Sequence, residues 1–166
     1  MNAAVAQAYD ARPVIVAGMT PHRLAVAREH YADAVVNVAE DDLRQRVADL
    51  TEGRGADVVI VAVSSAEAVE SGLTALRPGG VLNAFAGVPQ GTTVTLDLRQ
   101  VHYQQIHITG SFGVGPEHVE QALRLLSEEQ IDARPLITGL FPFERTVEAV
   151  AHIADQVGLK AVVVFE

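Results

Sequence analysis

The chain has 166 residues, 49% of them apolar, a formal net charge of −9, no Cys and a single Lys, Lys160. That length is about one domain, and an acidic chain without a run of Lys and Arg argues against binding a nucleic-acid backbone or an anionic membrane surface. The lack of Cys excludes disulfides, thiolate metal ligands and a Cys nucleophile.

No apolar stretch reaches the roughly 18 residues a membrane span needs. The start, Met1 to Ala17, is interrupted by Asp10 and Arg12 and does not read as a signal peptide. A cytoplasmic location is the expectation.

Along the chain, Met1–Tyr9 is Ala-rich and predicts a helix. Pro13–Ala17 is a short β-branched run and predicts a buried strand. Thr20-Pro21 opens a helix to about His30, with Thr20 at the cap and Pro21 in the first turn. Ala34–Val38 predicts a strand. Asp41–Thr51 predicts an amphipathic helix carrying Leu43, Val47 and Leu50 on one face. Gly53-Arg54-Gly55 is a loop. Val58–Val63 is the most apolar strand and is expected at the sheet centre. Ala66–Leu76 predicts a helix, stopped at Pro78-Gly79-Gly80, where Gly supplies a left-handed cap. Val81–Ala86 is a strand, Gly87–Gly91 a loop and Thr92–Leu96 a short edge strand. Ile106–Gly110 is a strand, Pro116–Ser127 and Thr146–Ala154 are helices, and Ala161–Phe165 is a final strand.

Strands alternating with helices predict an α/β fold, a mostly parallel sheet with helices on both faces. Ligands of such sheets sit at the carboxyl ends of the strands. Four loops therefore carry the candidates. Gly18 follows the first strand, where dinucleotide sites often place an acid. Without that carboxylate a 2′-phosphate is tolerated, facing Arg23 or His22; as plain structure the same residues are a turn glycine and a helix-surface arginine. Ser64 and Ser65 start a helix, so they either meet a ligand or simply cap it. Gly87 allows close approach of a flat ring, or only links two strands. Gly110–Gly115 reads G-x-x-G-x-G rather than the dinucleotide fingerprint, and is a mobile glycine loop rather than a phosphate cradle. The six His show no metal spacing and read as surface or packing residues. No G-x-S-x-G elbow occurs. Asp41-Asp42 and Glu128-Glu129 are helix-end charges.

The ordered runs RPVIVAGMTPHRLAVAREHYADAVVNV, LTEGRGADVVIVAV, LRPGGVLNAFAGVPQG and VHYQQIHITGSFG resemble the cofactor domain of medium-chain, zinc-type alcohol/polyol dehydrogenases, nearest the sorbitol/threonine dehydrogenase branch. The tail from Ile131 resembles that family's C-terminal segment. The resemblance implies a partial dinucleotide-binding domain over residues 1–130 and, over 131–166, a segment that packs on a catalytic domain not represented here.

By position the resemblance implies that Gly18 stands at the ribose-binding acid and Arg23 near the adenosine end. Ala62, Val63 and Ser64 fall beside adenine and ribose. Phe85, Ala86 and Gly87 fall beside the nicotinamide, and Ser111 and Phe112 in the loop that closes over it. The implied cofactor is NAD or NADP, with Gly18 favouring NADP, and zinc belongs to the missing domain. Thr92–Leu96 is the implied edge for a homo-oligomer. A separate chain carrying the catalytic domain is the other implied partner.

The sequence also departs from the family. Neither the zinc domain nor the first Rossmann strand with its G-x-G-x-x-G turn is found in it. Asp10 and Tyr31 stand where helices of the family end in Gly, a conformation that Asp tolerates better than Tyr. If the five β-rich runs are remnants of one nucleotide fold, Pro13–Ala17 and Val58–Val63 belong to one sheet that has lost its middle strand. They then close on each other, borrow a strand, or present open apolar edges. Three functions remain open: the inactive cofactor portion of an oxidoreductase, a non-catalytic dimerisation or scaffold module, and a stand-alone adenine-nucleotide binder.

Overall fold

The computed structural model describes residues 1–155 and 157–165. In chain order these form α1 (Asn2–Ala8), β1 (Ile15–Gly18), α2 (Pro21–His30), β2 (Ala34–Asn37), α3 (Leu43–Leu50), β3 (Ala56–Val61), α4 (Ala66–Thr74), β4 (Leu76–Ala84), α5 (Leu98–Gln104), β5 (His107–Gly110), α6 (Pro116–Ser127), β6 (Ile137–Pro142), α7 (Thr146–Ala154) and β7 (Lys160–Val164). The α/β class expected from the alternation is what is found. The chain falls into two compact units, one of Met1–Val16, Thr20–Val35 and Val119–Glu166, the other of Ala17–Met19 and Val36–His118. The two-stranded β1–β2 ribbon contributes to both.

In the second unit β3, β4 and β5 form a parallel sheet in that order. Parallel neighbours need a crossover, and α4 supplies it between β3 and β4. One sheet face is dry. Val61, Leu73, Leu76, Leu82 and Ile106 form its core, with Val59, Ala68 and Val69 against it. Leu82, two residues before the end of β4, has no exposure. Gly72 brings α4 close to this face: a Cβ there would lie 2.9 Å from Val59 Cγ1. Asp42 caps α3 by accepting from the Gln45 amide at 2.7 Å, which is the role expected of an acid at a helix start.

In the first unit β6 and β7 are parallel and α7 connects them. Tyr31 is buried at the end of α2, and its hydroxyl donates to the Asp132 carbonyl at 2.7 Å. Its φ is −139°, so Tyr31 carries no left-handed strain; the helix end is altered to seat a ring. Asp10 does take the left-handed conformation, with φ of 58°.

Several expectations are corrected. Pro13–Ala17 and Val58–Val63 are strand-forming, but β1 and β3 lie in separate sheets. A ladder needs a strand about 4.8 Å away, and none of the described strands pairs with both. Val58–Val63 is not central: among the described residues β3 has β4 as its one ladder neighbour, and Val58 is 57% exposed. The helix before Pro78 ends at Thr74 with a right-handed cap at Ala75, and Pro78-Gly79-Gly80 belong to β4. They form a bulge: between the pairs Ala56↔Leu76 and Val58↔Val81, β4 carries three more residues than β3, and Gly79 supplies φ of +74°. Thr92–Leu96 makes no ladder among the described residues; the Thr95 amide donates instead to Glu70 Oε1 at 2.7 Å. α5 and β6 were not foreseen.

The bulge is tied down by charge. Arg77, within it, donates to Asp57 Oδ1 at 2.6 Å, and Arg54 grips both carboxylate oxygens at 2.7 Å. Those hydrogen bonds, Arg54 first and then Arg77, hold the Asp57 carboxyl well below the usual carboxylate range. The folded state therefore binds this proton less readily than the unfolded chain. The contribution is complete above about pH 4 and is lost as pH falls below it. All three side chains are partly exposed, so screening limits the effect to about 1 kcal/mol. Asp57→Asn is expected to lower Tm by about 2–4 °C at pH 7. The difference from the unmodified chain should shrink as pH drops towards 3, as followed by circular-dichroism melts.

Candidate functional site

Parallel strands in register end together, and the candidate loops follow those ends. β4 pairs with β3 through Val61↔Ala84 and with β5 through Ala84↔Gly110. Ala84 is thus flanked on both sides at the last step of the sheet. The next residues on the three strands are Ala62-Val63-Ser64, Phe85-Ala86-Gly87 and Ser111-Phe112. These eight residues of the sequence reading are brought to one edge of one sheet.

Two side-chain bonds lock the edge. Ser64 Oγ donates to the Gly87 carbonyl at 2.5 Å, joining the loops after β3 and β4. Asn83 Nδ2 donates to Ser111 Oγ at 2.9 Å, joining β4 to the loop after β5. Backbone bonds add to them: the amides of Phe85 and Ala86 both donate to Val61 O, at 3.2 and 3.0 Å. Ser65 caps α4 by accepting from the Ala68 amide at 3.1 Å, so the capping reading holds for Ser65 while Ser64 faces the next loop.

Phe85 and Phe112 stand exposed beside these polar backbone groups, and a Cβ at Gly87 would meet no atom within 4 Å. The edge therefore offers open apolar faces next to amides and carbonyls. That combination suits a ligand with both apolar and hydrogen-bonding parts. None of the gathered side chains is ionisable, so the arrangement can bind and orient a ligand but holds no general acid or base.

Gly18 and Arg23 stand differently. Gly18 ends β1, and its carbonyl accepts from the Val38 amide at 3.1 Å; it belongs to the second unit. Arg23 belongs to the first unit, exposed on α2, with Nη2 donating to the Gly158 carbonyl at 3.5 Å. His22 is exposed on the same helix. No group of three or more His, Asp or Glu that could hold a metal occurs among the described residues. The described residues do not fit a catalytic zinc. No helix among the described residues is long and apolar enough to cross a membrane. Sequence reasoning missed Asn83. Its signal was a lone amide inside the apolar run Val81–Ala86.

Ser64→Ala removes the bond that holds the two loops together. Its net worth is about 1 kcal/mol, so the fold should survive. The expected result is displaced amide resonances at Gly87 and Val88 with core signals such as Leu82 unmoved, read from two-dimensional NMR spectra.

Residues 1–128 match the family model described as zinc-binding dehydrogenase. The chain is 28% identical over 149 residues to sorbitol dehydrogenase of Bacillus subtilis, covering 90% of this chain and 42% of that protein. It is 29% identical over 154 residues to L-threonine 3-dehydrogenase of Pyrococcus horikoshii, covering 90% and 43%. The structure of an alcohol dehydrogenase from Thermotoga maritima aligns with a TM-score of 0.89 at 25% identity, over 99% of this chain and 46% of that one. The chain thus spans less than half the length of these relatives. With most of its residues under one family model, the chain belongs to the zinc-binding dehydrogenase family, and it matches that family's cofactor-binding region.

Proposed function

We propose that this chain is the nicotinamide-cofactor portion of a zinc-dependent alcohol or polyol dehydrogenase, and that the metal and the alcohol pocket come from elsewhere. The observation that carries this reading is the shared carboxyl edge of β3, β4 and β5, where Ser64 meets Gly87 and Asn83 meets Ser111. A bound nicotinamide dinucleotide would supply the hydride acceptor. The chain's own part is positional. Ala62, Val63 and Ser64 would line the adenosine side, and Phe85, Ala86 and Gly87 the nicotinamide. Ser111 and Phe112 would cover the ring and keep water from it.

Gly18 puts no carboxylate at the ribose position, which favours NADP or use of both cofactors over NAD alone. Titration of the chain with NADH and NADPH, followed by cofactor fluorescence and by amide shifts, tests the reading. Shifts at Phe85–Gly87 and Ser111–Phe112 are expected, with NADPH bound at least as well as NADH. Gly18→Asp should turn the preference to NADH by about tenfold or more, since a like charge facing a phosphate costs over 1 kcal/mol. No shift at that edge up to several millimolar of either cofactor would overturn the reading and favour a non-catalytic module.

The same reading makes Thr92–Leu96 the edge at which two copies pair. Val94 and Leu96 are partly exposed and make no ladder among the described residues, as an edge awaiting a partner would. Light scattering should find a dimer, and Val94→Asp should convert it to monomer; a monomer at high micromolar concentration would rule the edge out.

A further inference from the structure

A cavity of about 600 Å³ opens in the second unit at the amino-terminal end of its sheet, where Gly55 precedes β3 and Leu76 begins β4. The six-residue length of β3 puts it roughly 20 Å from the carboxyl edge. Its charge is unlike that of the chain. Arg44, Arg54 and Arg99 line it, against one acid, Asp97, although acids outnumber bases 21 to 12 in the sequence. The three arginines come from α3, the loop before β3 and α5, so no basic run marks them in the sequence.

The four charges are not equally free. Asp97 Oδ1 accepts from the Arg99 amide at 2.8 Å and so caps α5. Arg54 is held by Asp57. Arg44 and Arg99 have no carboxylate within 4 Å among the described residues. The Arg99 guanidinium lies over the Tyr103 ring, 4.7 Å from its centre. That contact fixes the cation while leaving its N–H groups to donate. Two arginines without a carboxylate partner line this one cavity, and guanidinium forks are suited to a phosphate, whose oxygens accept pairs of parallel N–H bonds. The volume falls in the range of small-molecule sites and leaves room for an organic body. Tyr103 and Gln104, which also line the cavity, can hydrogen-bond such a body.

We propose that this cavity binds a phosphate-bearing small molecule of sugar-phosphate size, held by Arg44 and Arg99. It does not rest on the cofactor reading, because its residues and its end of the sheet are different.

The test is titration of the isotope-labelled chain with inorganic pyrophosphate and with glucose 6-phosphate at fixed ionic strength, with sulfate as control. Amide shifts are expected at Arg44, Gly53–Gly55 and Asp97–Gln104, saturating at low millimolar concentration or below. Arg44→Gln and Arg99→Gln should each weaken binding about fivefold or more, and Arg44→Lys less, because charge is kept and the fork is lost. Three results would overturn the proposal: no saturable shift, equal response to sulfate, or shifts confined to the loops after β3, β4 and β5. Should a variant fail to fold, the shift map of the unmodified chain decides alone.

Discussion

Among the described residues, β4 is the one strand hydrogen-bonded on both sides. Its neighbours carry no second ladder, so the relative height of every loop at the carboxyl edge is set by pairing to this strand. The side chains of β4 do the complementary task. Leu82 is sealed in the core, and Asn83, next along and on the other face, reaches Ser111. One residue anchors the sheet and its successor orients the loop, a division that the period of two along a strand makes automatic. The bulge before Val81 sets where that period begins, which is why the Asp57 clamp matters beyond its modest energy.

The other face and the outer edge of this sheet are less finished. Val58 and Ile60 point away from the core and stay exposed, while Val59 and Val61 turn inward. Strands of parallel sheets are apolar on both faces because both are usually covered. Here the composition of β3 is that of a strand buried twice, and its surroundings bury it once. β3 is thus more apolar than its burial among the described residues requires. The same holds for the tail, where Leu140, Val147 and Val150 are exposed on β6 and α7.

Much of this was legible in the sequence. β-branched runs located β1, β2, β3 and β7, and the order of strands and helices led to the loops at the carboxyl edge; the eight individual residues that meet there came from the family resemblance by position. What failed did so for identifiable reasons. Pro78-Gly79-Gly80 looks like a helix stop, yet the same residue types also make a bulge, and local sequence cannot say whether a neighbouring strand is present to oppose it. Ile137–Pro142 contains Gly and ends in Pro, which hides a strand. α5 is a single short segment with Asp97 as its only start signal. The place of Val58–Val63 at an edge depends on partners rather than on its own residues. Tyr31 read as a poor helix end because Gly was expected there; its role is tertiary, and the residue it meets is 101 positions away.

That separation bears on how the chain is assembled. The first unit is built from three stretches of sequence, with its last contribution beginning at Val119, whereas nearly all of the second unit is contiguous from Val36 to His118. Closing a contact across a hundred residues costs more entropy than closing one within a βαβ element, and such contacts form late. On a ribosome the sheet of the second unit can collapse as soon as its own residues have emerged. The opening helices must wait, with the Tyr31 ring still in water, until the final third of the polypeptide arrives to cover it.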